Sequence, residues 1–155
     1  CSATPYKGES GLLSVAKSYE SKGKLASAVF RNQVKDCYID LASARKGTTV
    51  PTGNYVLDTG IVRRKKDSAR IRTGKMSPIL VESGKDTFLE WGGPVYMDYQ
   101  ERPGENPAEV LVYPPKFYGK LGEEYFSFSP APCSPTIFVK DKRGKEIWSG
   151  KFCTS

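Results

Sequence analysis

The placement of proline constrains the fold of this chain more than any other feature. Eight of its eleven prolines fall between Pro94 and Pro135, and a proline inside a helix removes a backbone hydrogen bond and clashes with the preceding turn. Short apolar runs between these prolines fit strands at residues 95–99, 110–113 and 125–128. This stretch therefore predicts extended structure broken by turns, with an exposed loop at 103–107.

Turn residues predict further strands in the middle of the chain. Residues 50–57 read Val-Pro-Thr-Gly-Asn-Tyr-Val-Leu, which places a Pro-x-Gly turn directly before a strand that begins at Tyr55. The apolar runs 79–82 and 87–91 flank a Ser-Gly-Lys-Asp turn. This second pattern predicts that the two runs pair as a β-hairpin.

The first 47 residues fit two alternatives. Leu12, Val15 and Tyr19 recur at helical spacing, which favours a short helical hairpin. The alternative takes residues 26–31 and 37–42 as strands. We favour strands after residue 25, leave 1–25 open as a helical segment or a tether, and expect 26–155 to form one domain.

The end of the chain predicts a second hairpin. The runs 136–140 and 146–149 are separated by five residues, with Asp141 first and Gly144 fourth. This order suits a type I turn closed by a left-handed glycine, in which Asp141 pairs with Lys145. The resulting register sets three pairs opposite each other: Lys140 with Glu146, Val139 with Ile147, and Phe138 with Trp148.

The chain has four cysteines, Cys1, Cys37, Cys133 and Cys153, without the C-x-x-C spacing of redox or zinc motifs. The same register sets Cys133 opposite Cys153, within disulfide range. Cys1 then pairs with Cys37, unless Cys1 is lipidated and Cys37 is free. Disulfides persist outside the cytoplasm, so we expect an extracellular or cell-envelope protein.

The first residue has two interpretations. Cys1-Ser2-Ala3 resembles the mature start of bacterial lipoproteins, whose first cysteine carries a lipid. The alternative is an ordinary disulfide partner at a trimmed end. No apolar run approaches the roughly 20 residues of a membrane-spanning helix, so we expect membrane contact only through a lipid on Cys1.

The absence of histidine excludes several kinds of site within this chain. Ser/His/Asp and Cys/His nucleophilic sites, histidine zinc sites and histidine proton transfer all need that residue. No motif indicates a cofactor or a calcium loop. We expect no enzyme activity, catalytic residue, metal or cofactor.

The alternative is a carbohydrate-active hydrolase, or a carbohydrate-binding module, that uses paired carboxylates and surface aromatics. Its candidate acids are Asp98, Glu101, Glu105, Glu109, Glu123 and Glu124. Because Glu123 and Glu124 are adjacent and follow a glycine, we expect both to be solvated.

Positive charge is concentrated in one segment. The formal charge is +7 at pH 7, and residues 63–75 hold one acid against seven cations: Arg63, Arg64, Lys65, Lys66, Arg70, Arg72 and Lys75. One interpretation is a solvated strand connection, with Arg70 and Arg72 outward and Ala69 and Ile71 inward. The other is binding to an acidic glycan, an envelope surface or a partner protein. Nucleic acid is not expected, because interleaved aromatics are missing.

Aromatic residues are frequent after residue 90. Exposed rings would suit a surface that binds sugars or proteins, and the candidates are Trp91, Tyr96, Tyr99, Tyr113, Tyr118 and Tyr125. The alternative is that these rings form the core and shield turns.

The Val-Pro-x-Gly-x-Tyr-x-Leu pattern at 50–57, followed by Pro-Ile-Leu-Val-Glu-Ser-Gly at 78–84, resembles transthyretin-like or carboxypeptidase-regulatory-like modules. The resemblance covers about residues 29–94. It implies an immunoglobulin-like or transthyretin-like antiparallel β-sandwich with a non-catalytic adhesive, structural or saccharide-contacting role outside the cytoplasm. Exposed strand edges would also permit self-association or a protein partner.

Overall fold

The computed structural model describes residues 6–15, 21–44, 46–106, 110–130 and 136–151. Within these ranges the regular elements are strands, and no helix occurs. The strands are β1 (Ser10–Val15), β2 (Lys24–Asn32), β3 (Tyr38–Asp40), β4 (Thr48–Pro51), β5 (Gly53–Arg64), β6 (Asp67–Arg72), β7 (Ile79–Val81), β8 (Asp86–Leu89), β9 (Tyr96–Asp98), β10 (Glu101–Pro103), β11 (Val110–Val112), β12 (Lys116–Tyr118), β13 (Glu124–Ser129), β14 (Thr136–Lys140) and β15 (Glu146–Lys151). The prediction of a mainly β fold is confirmed.

Two sheets enclose the core in a sandwich-like arrangement. The larger sheet has eight strands in the order β3-β2-β5-β6-β13-β12-β9, with β7 beside β5 off this path. The smaller has the order β4-β1-β8, in which β1 is antiparallel to β4 and parallel to β8. The pairs β10–β11 and β14–β15 form two-stranded sheets of their own.

Alternation along the strands sends apolar side chains from both sheets into one core. The larger sheet contributes Phe30, Leu57 and Ile71, and the smaller contributes Leu13 and Leu89. Successive side chains of a strand point to opposite faces, so the residues between these inward positions face the outer side of each sheet. The larger sheet therefore has one buried face and one face available for function.

The helical alternative for the first stretch is wrong within the described residues. Residues 10–15 form β1, which pairs with β4 on one side and β8 on the other. A helix over so few residues would be only marginally stable, because it would form few internal hydrogen bonds. Pairing on both edges and burial of Leu13 stabilise the strand instead. The strands expected after residue 25 are confirmed as β2 and β3.

The predicted hairpin at 79–91 is wrong in its pairing, although both strands are present. β7 pairs with β5, and β8 pairs with β1. The intervening turn carries the chain from the larger sheet to the smaller one. β1 forms hydrogen bonds with the backbone of this turn: Gly84 N–H donates to Ser10 C=O, and Leu12 N–H donates to Lys85 C=O, each at 2.9 Å.

The turn predicted at 141–145 is confirmed, but the register beyond it is shifted. Asp141 N–H donates to Lys145 C=O at 2.9 Å, and Gly144 is left-handed with φ +80°. A β-bulge follows at Ile147. Lys140 faces Glu146 as predicted, whereas the other two predicted pairs are wrong: Val139 lies opposite Trp148, and Phe138 lies opposite Ser149.

The bulge shifts the pairing of the two strands by one residue. The register from which we predicted Cys133 opposite Cys153 therefore does not hold between Thr136 and Val139. Both cysteines, like Cys1, lie outside the described residues. Cys37 forms no disulfide with a described residue, and its Sγ lies 3.9 Å from the Tyr55 hydroxyl. Both bridges stay predictions.

Candidate functional site

The basic segment is a β-hairpin that projects from the larger sheet. β5 runs to Arg64, Lys65 and Lys66 form a two-residue turn, and β6 begins at Asp67. The alternation expected for β6 is confirmed: Ala69 and Ile71 are buried, whereas Arg70 and Arg72 are exposed.

An open cleft of about 520 Å³ lies between this turn and the start of β2. Its lining consists of two apolar residues, Leu25 and Ala26, and five cations: Lys22, Lys24, Arg63, Arg64 and Lys65. The lining includes no acidic residue among those that the structure describes. We call this feature the basic cleft.

Sequence reasoning missed Lys22 and Lys24, which lie far from residue 63 along the chain. The register of β2 and β5 sets Lys24 directly opposite Arg63, and residues opposite each other point to the same face of a sheet. Only the pairing of β2 with β5 could have revealed this proximity. The fold therefore adds two cations from outside the linear segment to the site.

The cations of the segment divide into two groups by pairing. Arg72 binds Glu124 with two hydrogen bonds, Nη2 to Oε1 at 2.7 Å and Nε to Oε2 at 2.9 Å, and Lys75 Nζ lies 2.5 Å from Asp98 Oδ2. These hydrogen bonds lower the pKa values of Glu124 and Asp98. By contrast, none of the ion pairs within the described ranges involves a cation of the basic cleft.

Unpaired cations gathered in one concave place repel one another and create a positive potential. Lys66 and Arg70 are exposed beside the cleft and add to this potential. A bound anion would relieve the repulsion. The arrangement suits recognition of several negative charges at once.

The aromatic candidates also divide. Trp91, Tyr118 and Tyr125 are buried, so for these three residues the interpretation as an exposed surface is wrong and the interpretation as buried rings is confirmed. Trp91 packs against Phe30 with ring centroids 5.8 Å apart, and Tyr125 lies opposite inward-facing Ile71. Tyr118 is covered by neighbouring side chains, including Lys75, whose Nζ lies 4.5 Å from the centroid of its ring.

Tyr96, Tyr99 and Tyr113 are exposed. Tyr99 and Tyr113 border a groove of about 100 Å³ that we call the tyrosine groove. The other residues that line it are Lys75, Asp98, Gln100, Pro114, Lys116 and Tyr118. Aromatic rings with converging polar groups are typical of sites that bind amphipathic ligands.

The expectation that Glu123 and Glu124 are solvated is wrong. The Glu123 side chain is fully buried and accepts hydrogen bonds from Gly92 N–H at 2.7 Å, Leu121 N–H at 3.1 Å and the Tyr125 hydroxyl at 3.2 Å. Desolvation raises the pKa of Glu123, and these hydrogen bonds oppose that rise. The carboxylate thus organises the loop before β13.

The remaining acidic candidates are dispersed. Glu101 and Glu105 are exposed, and Glu109 lies outside the described residues. Among the residues that the structure describes, no group of three or more Cys, Asp or Glu side chains could hold a metal ion. No helix in the described ranges has the length and apolar character needed to cross a membrane.

Comparisons of the chain with protein-family models, with curated proteins and with solved structures found no match.

Proposed function

We propose that this chain is a non-catalytic adhesive module that binds an acidic glycan of a cell or envelope surface through the basic cleft. The observation that carries the proposal is the convergence of five cations on one open cleft, with none of them in an ion pair among the described residues.

The physical basis is multivalency. A single exposed ion pair contributes about 1 kcal/mol or less, so an isolated acidic sugar would bind weakly. A polymer that places several carboxylates or sulfates along the cleft engages several cations at once, and each further contact is intramolecular. Such binding weakens as salt screens the charges.

The proposal includes export and an immunoglobulin-like or transthyretin-like sandwich. The structural role of the Val-Pro-x-Gly-x-Tyr pattern supports this type of sandwich. Tyr55 is buried, and its hydroxyl donates to Pro51 C=O at 2.9 Å. The tyrosine thereby holds the turn that leads from the smaller sheet into β5. The Cys133–Cys153 disulfide belongs to the same proposal, together with either a Cys1–Cys37 disulfide or a lipid on Cys1 that leaves Cys37 free.

The proposed role is non-catalytic because the buried acids have structural partners. Glu123 is held by backbone donors, and Glu124 is neutralised by Arg72. The two residues are adjacent in the chain where β13 begins, and successive side chains of a strand point to opposite faces. A hydrolase would instead need two carboxylates that face one cleft.

The test is binding to immobilised polygalacturonate, with neutral dextran as the reference polymer, at 50 and 500 mM NaCl. We expect binding to polygalacturonate that high salt weakens at least tenfold. The double variant Arg63→Glu/Arg64→Glu should bind at least tenfold more weakly than wild type, which corresponds to about 1.4 kcal/mol.

The matched control is Lys142→Glu/Arg143→Glu in the exposed turn after β14. It changes the net charge by the same amount at a turn that does not line the cleft. An equal loss of binding in both double variants would contradict the proposal, because net charge and not the cleft would then determine affinity.

A structural, self-assembling role is the second candidate. β14 and β15 pair only with each other within the described residues, and Phe138, Val139, Ile147 and Trp148 are exposed. Exposed apolar side chains on a free hairpin favour association with a second copy or a protein partner.

A further inference from the structure

We infer that the outer face of the larger sheet is a continuous track for one extended acidic saccharide, which lies across the strands from the basic cleft to the tyrosine groove. This inference rests on the proposed function and adds a second contact region and a ligand class to it.

Cross-strand register sets Lys24 and Arg63 of the basic cleft on the same face of the sheet as Asp98, Lys116 and Tyr118 of the tyrosine groove. Residues directly opposite each other share a face, and so do residues two apart along one strand. The pairs that share this face run from β2 to β9: Lys24 with Arg63, Arg63 with Ser68, Arg70 with Phe126, Arg72 with Glu124, Glu124 with Tyr118, and Tyr118 with Tyr96.

The face is wide enough for an extended chain of several sugar units. Five interstrand spacings separate β2 from β9, which at about 4.8 Å each amount to about 24 Å. The opposite face of this sheet carries Ala69 and Ile71 into the core. Only the outer face can receive a ligand.

Cations continue along the track between its two ends. Arg70 on β6 and Lys116 on β12 are exposed, and neither belongs to an ion pair among the described residues. The Arg72 guanidinium lies 4.7 Å from the centroid of the Phe126 ring while it binds Glu124. These contacts on two sides hold its planar group in one orientation on the face.

The chemistry at the groove favours a saccharide over a nucleic acid. The hydroxyls of a sugar ring can donate to the Asp98 carboxylate and the Gln100 amide oxygen, and its apolar side can stack on Tyr99 or Tyr113. Lys75 lowers the pKa of Asp98, so this carboxylate stays ionised and accepts hydrogen bonds from sugar hydroxyls. A chain of uronic acids offers carboxylates to the cations of the basic cleft and hydroxyls and ring faces to the tyrosine groove.

The test compares oligogalacturonates of two and ten units by calorimetry at 50 mM NaCl. The double variant Tyr99→Ala/Tyr113→Ala should bind the long chain about tenfold more weakly than wild type, and the short one unchanged. Lys116→Gln should weaken binding of the long chain in the same direction. The control Phe88→Ala removes an exposed ring from the smaller sheet and should change neither affinity. Thermal unfolding checks that each variant is folded.

The outcomes separate this inference from the proposed function. Unchanged binding of the long chain by the tyrosine variant, with loss in Arg63→Glu/Arg64→Glu, would overturn the track and support the cleft. No binding of either oligomer or of polygalacturonate by wild type would overturn both. Equally tight, tyrosine-dependent binding of single-stranded DNA would overturn the choice of a saccharide.

Discussion

Glu123 shows how a residue that is polar in sequence becomes part of the interior. Two glycines precede it closely in the chain. At Gly119 a side chain would collide with the Glu123 carboxylate, and Gly122 is left-handed with φ +92°. The loop can therefore fold closely around the carboxylate, which accepts hydrogen bonds from Leu121 N–H of the loop and from Gly92 N–H of the segment that follows β8. These hydrogen bonds offset only part of the cost of burying the charge, because the pKa of Glu123 is still raised.

The pH dependence of stability tests this arrangement. Burial raises the pKa of Glu123 above its ordinary value of 4.5, so the folded chain holds this proton more tightly than the unfolded chain does. The contribution of Glu123 to the free energy of unfolding is then greatest below pH 4.5 and falls as the pH rises towards the folded pKa. Glu123→Gln removes this titration.

Wild type should therefore lose stability relative to Glu123→Gln over the pH range above 4.5, by about 1.4 kcal/mol for each unit by which the pKa is raised. Urea unfolding across this range measures the difference. The control is Glu105→Gln, in an exposed loop. Its free energy of unfolding should change with pH in the same way as that of wild type. A constant difference between wild type and Glu123→Gln would show that the hydrogen bonds cancel the effect of burial.

At the scale of elements, strand positions could be predicted from the sequence, but strand partners could not. Period-two alternation is a local signal, so it located β6 and set Ala69 and Ile71 inward. The partner of β8 is β1, some seventy residues earlier, and no local pattern encodes such a parallel pair. For the same reason the sequence predicted only the cleft cations on β5 and its turn. Lys24 lies opposite Arg63 through long-range pairing of β2 with β5.

Single substitutions at left-handed glycines test how strongly turn geometry contributes to stability. Gly74 and Gly84 have similar positive φ values of +58° and +67°, but a Cβ at Gly74 would lie 2.6 Å from Gly122 C=O, whereas at Gly84 it would meet nothing within 4 Å. The two positions therefore separate backbone strain from steric collision.

We expect Gly84→Ala to lower the free energy of unfolding by about 1 kcal/mol, the cost of a left-handed alanine. Gly74→Ala should lower it by about 3 kcal/mol, because the Gly122 backbone and Glu124 must also move. Urea unfolding of both variants at one pH measures the two losses. Equal losses would mean that the loop beside Gly74 yields without resistance.

At the scale of the whole molecule, the charge is distributed differently from its order in the sequence. The sequence indicates one basic segment, whereas the fold neutralises one end of it through Glu124 and Asp98 and reinforces the other with Lys22 and Lys24. Ion pairing and strand pairing both bring together residues that are distant in the chain. The asymmetry of the resulting field therefore could not be read from composition.

The hairpin β14–β15 gives the molecule a second exposed surface of a different kind. Val139 and Trp148 lie opposite each other, so both side chains occupy one face, and the other face carries Phe138 with Lys140 and Lys151. A small two-stranded sheet with exposed apolar side chains is marginal alone. Contact with a second copy would bury this surface and stabilise it.

The self-assembly candidate therefore predicts a concentration-dependent dimer through this hairpin. Sedimentation equilibrium between about 5 and 200 μM should show wild type shifting from monomer to dimer, whereas Trp148→Ser should stay monomeric, because the large apolar ring at the contact is lost. Leu80→Ser, at an equally exposed apolar position on β7, is the matched control and should dimerise as wild type does. A monomeric wild type over the whole range would contradict self-assembly through this hairpin, and dimerisation lost equally in both variants would indicate nonspecific apolar association.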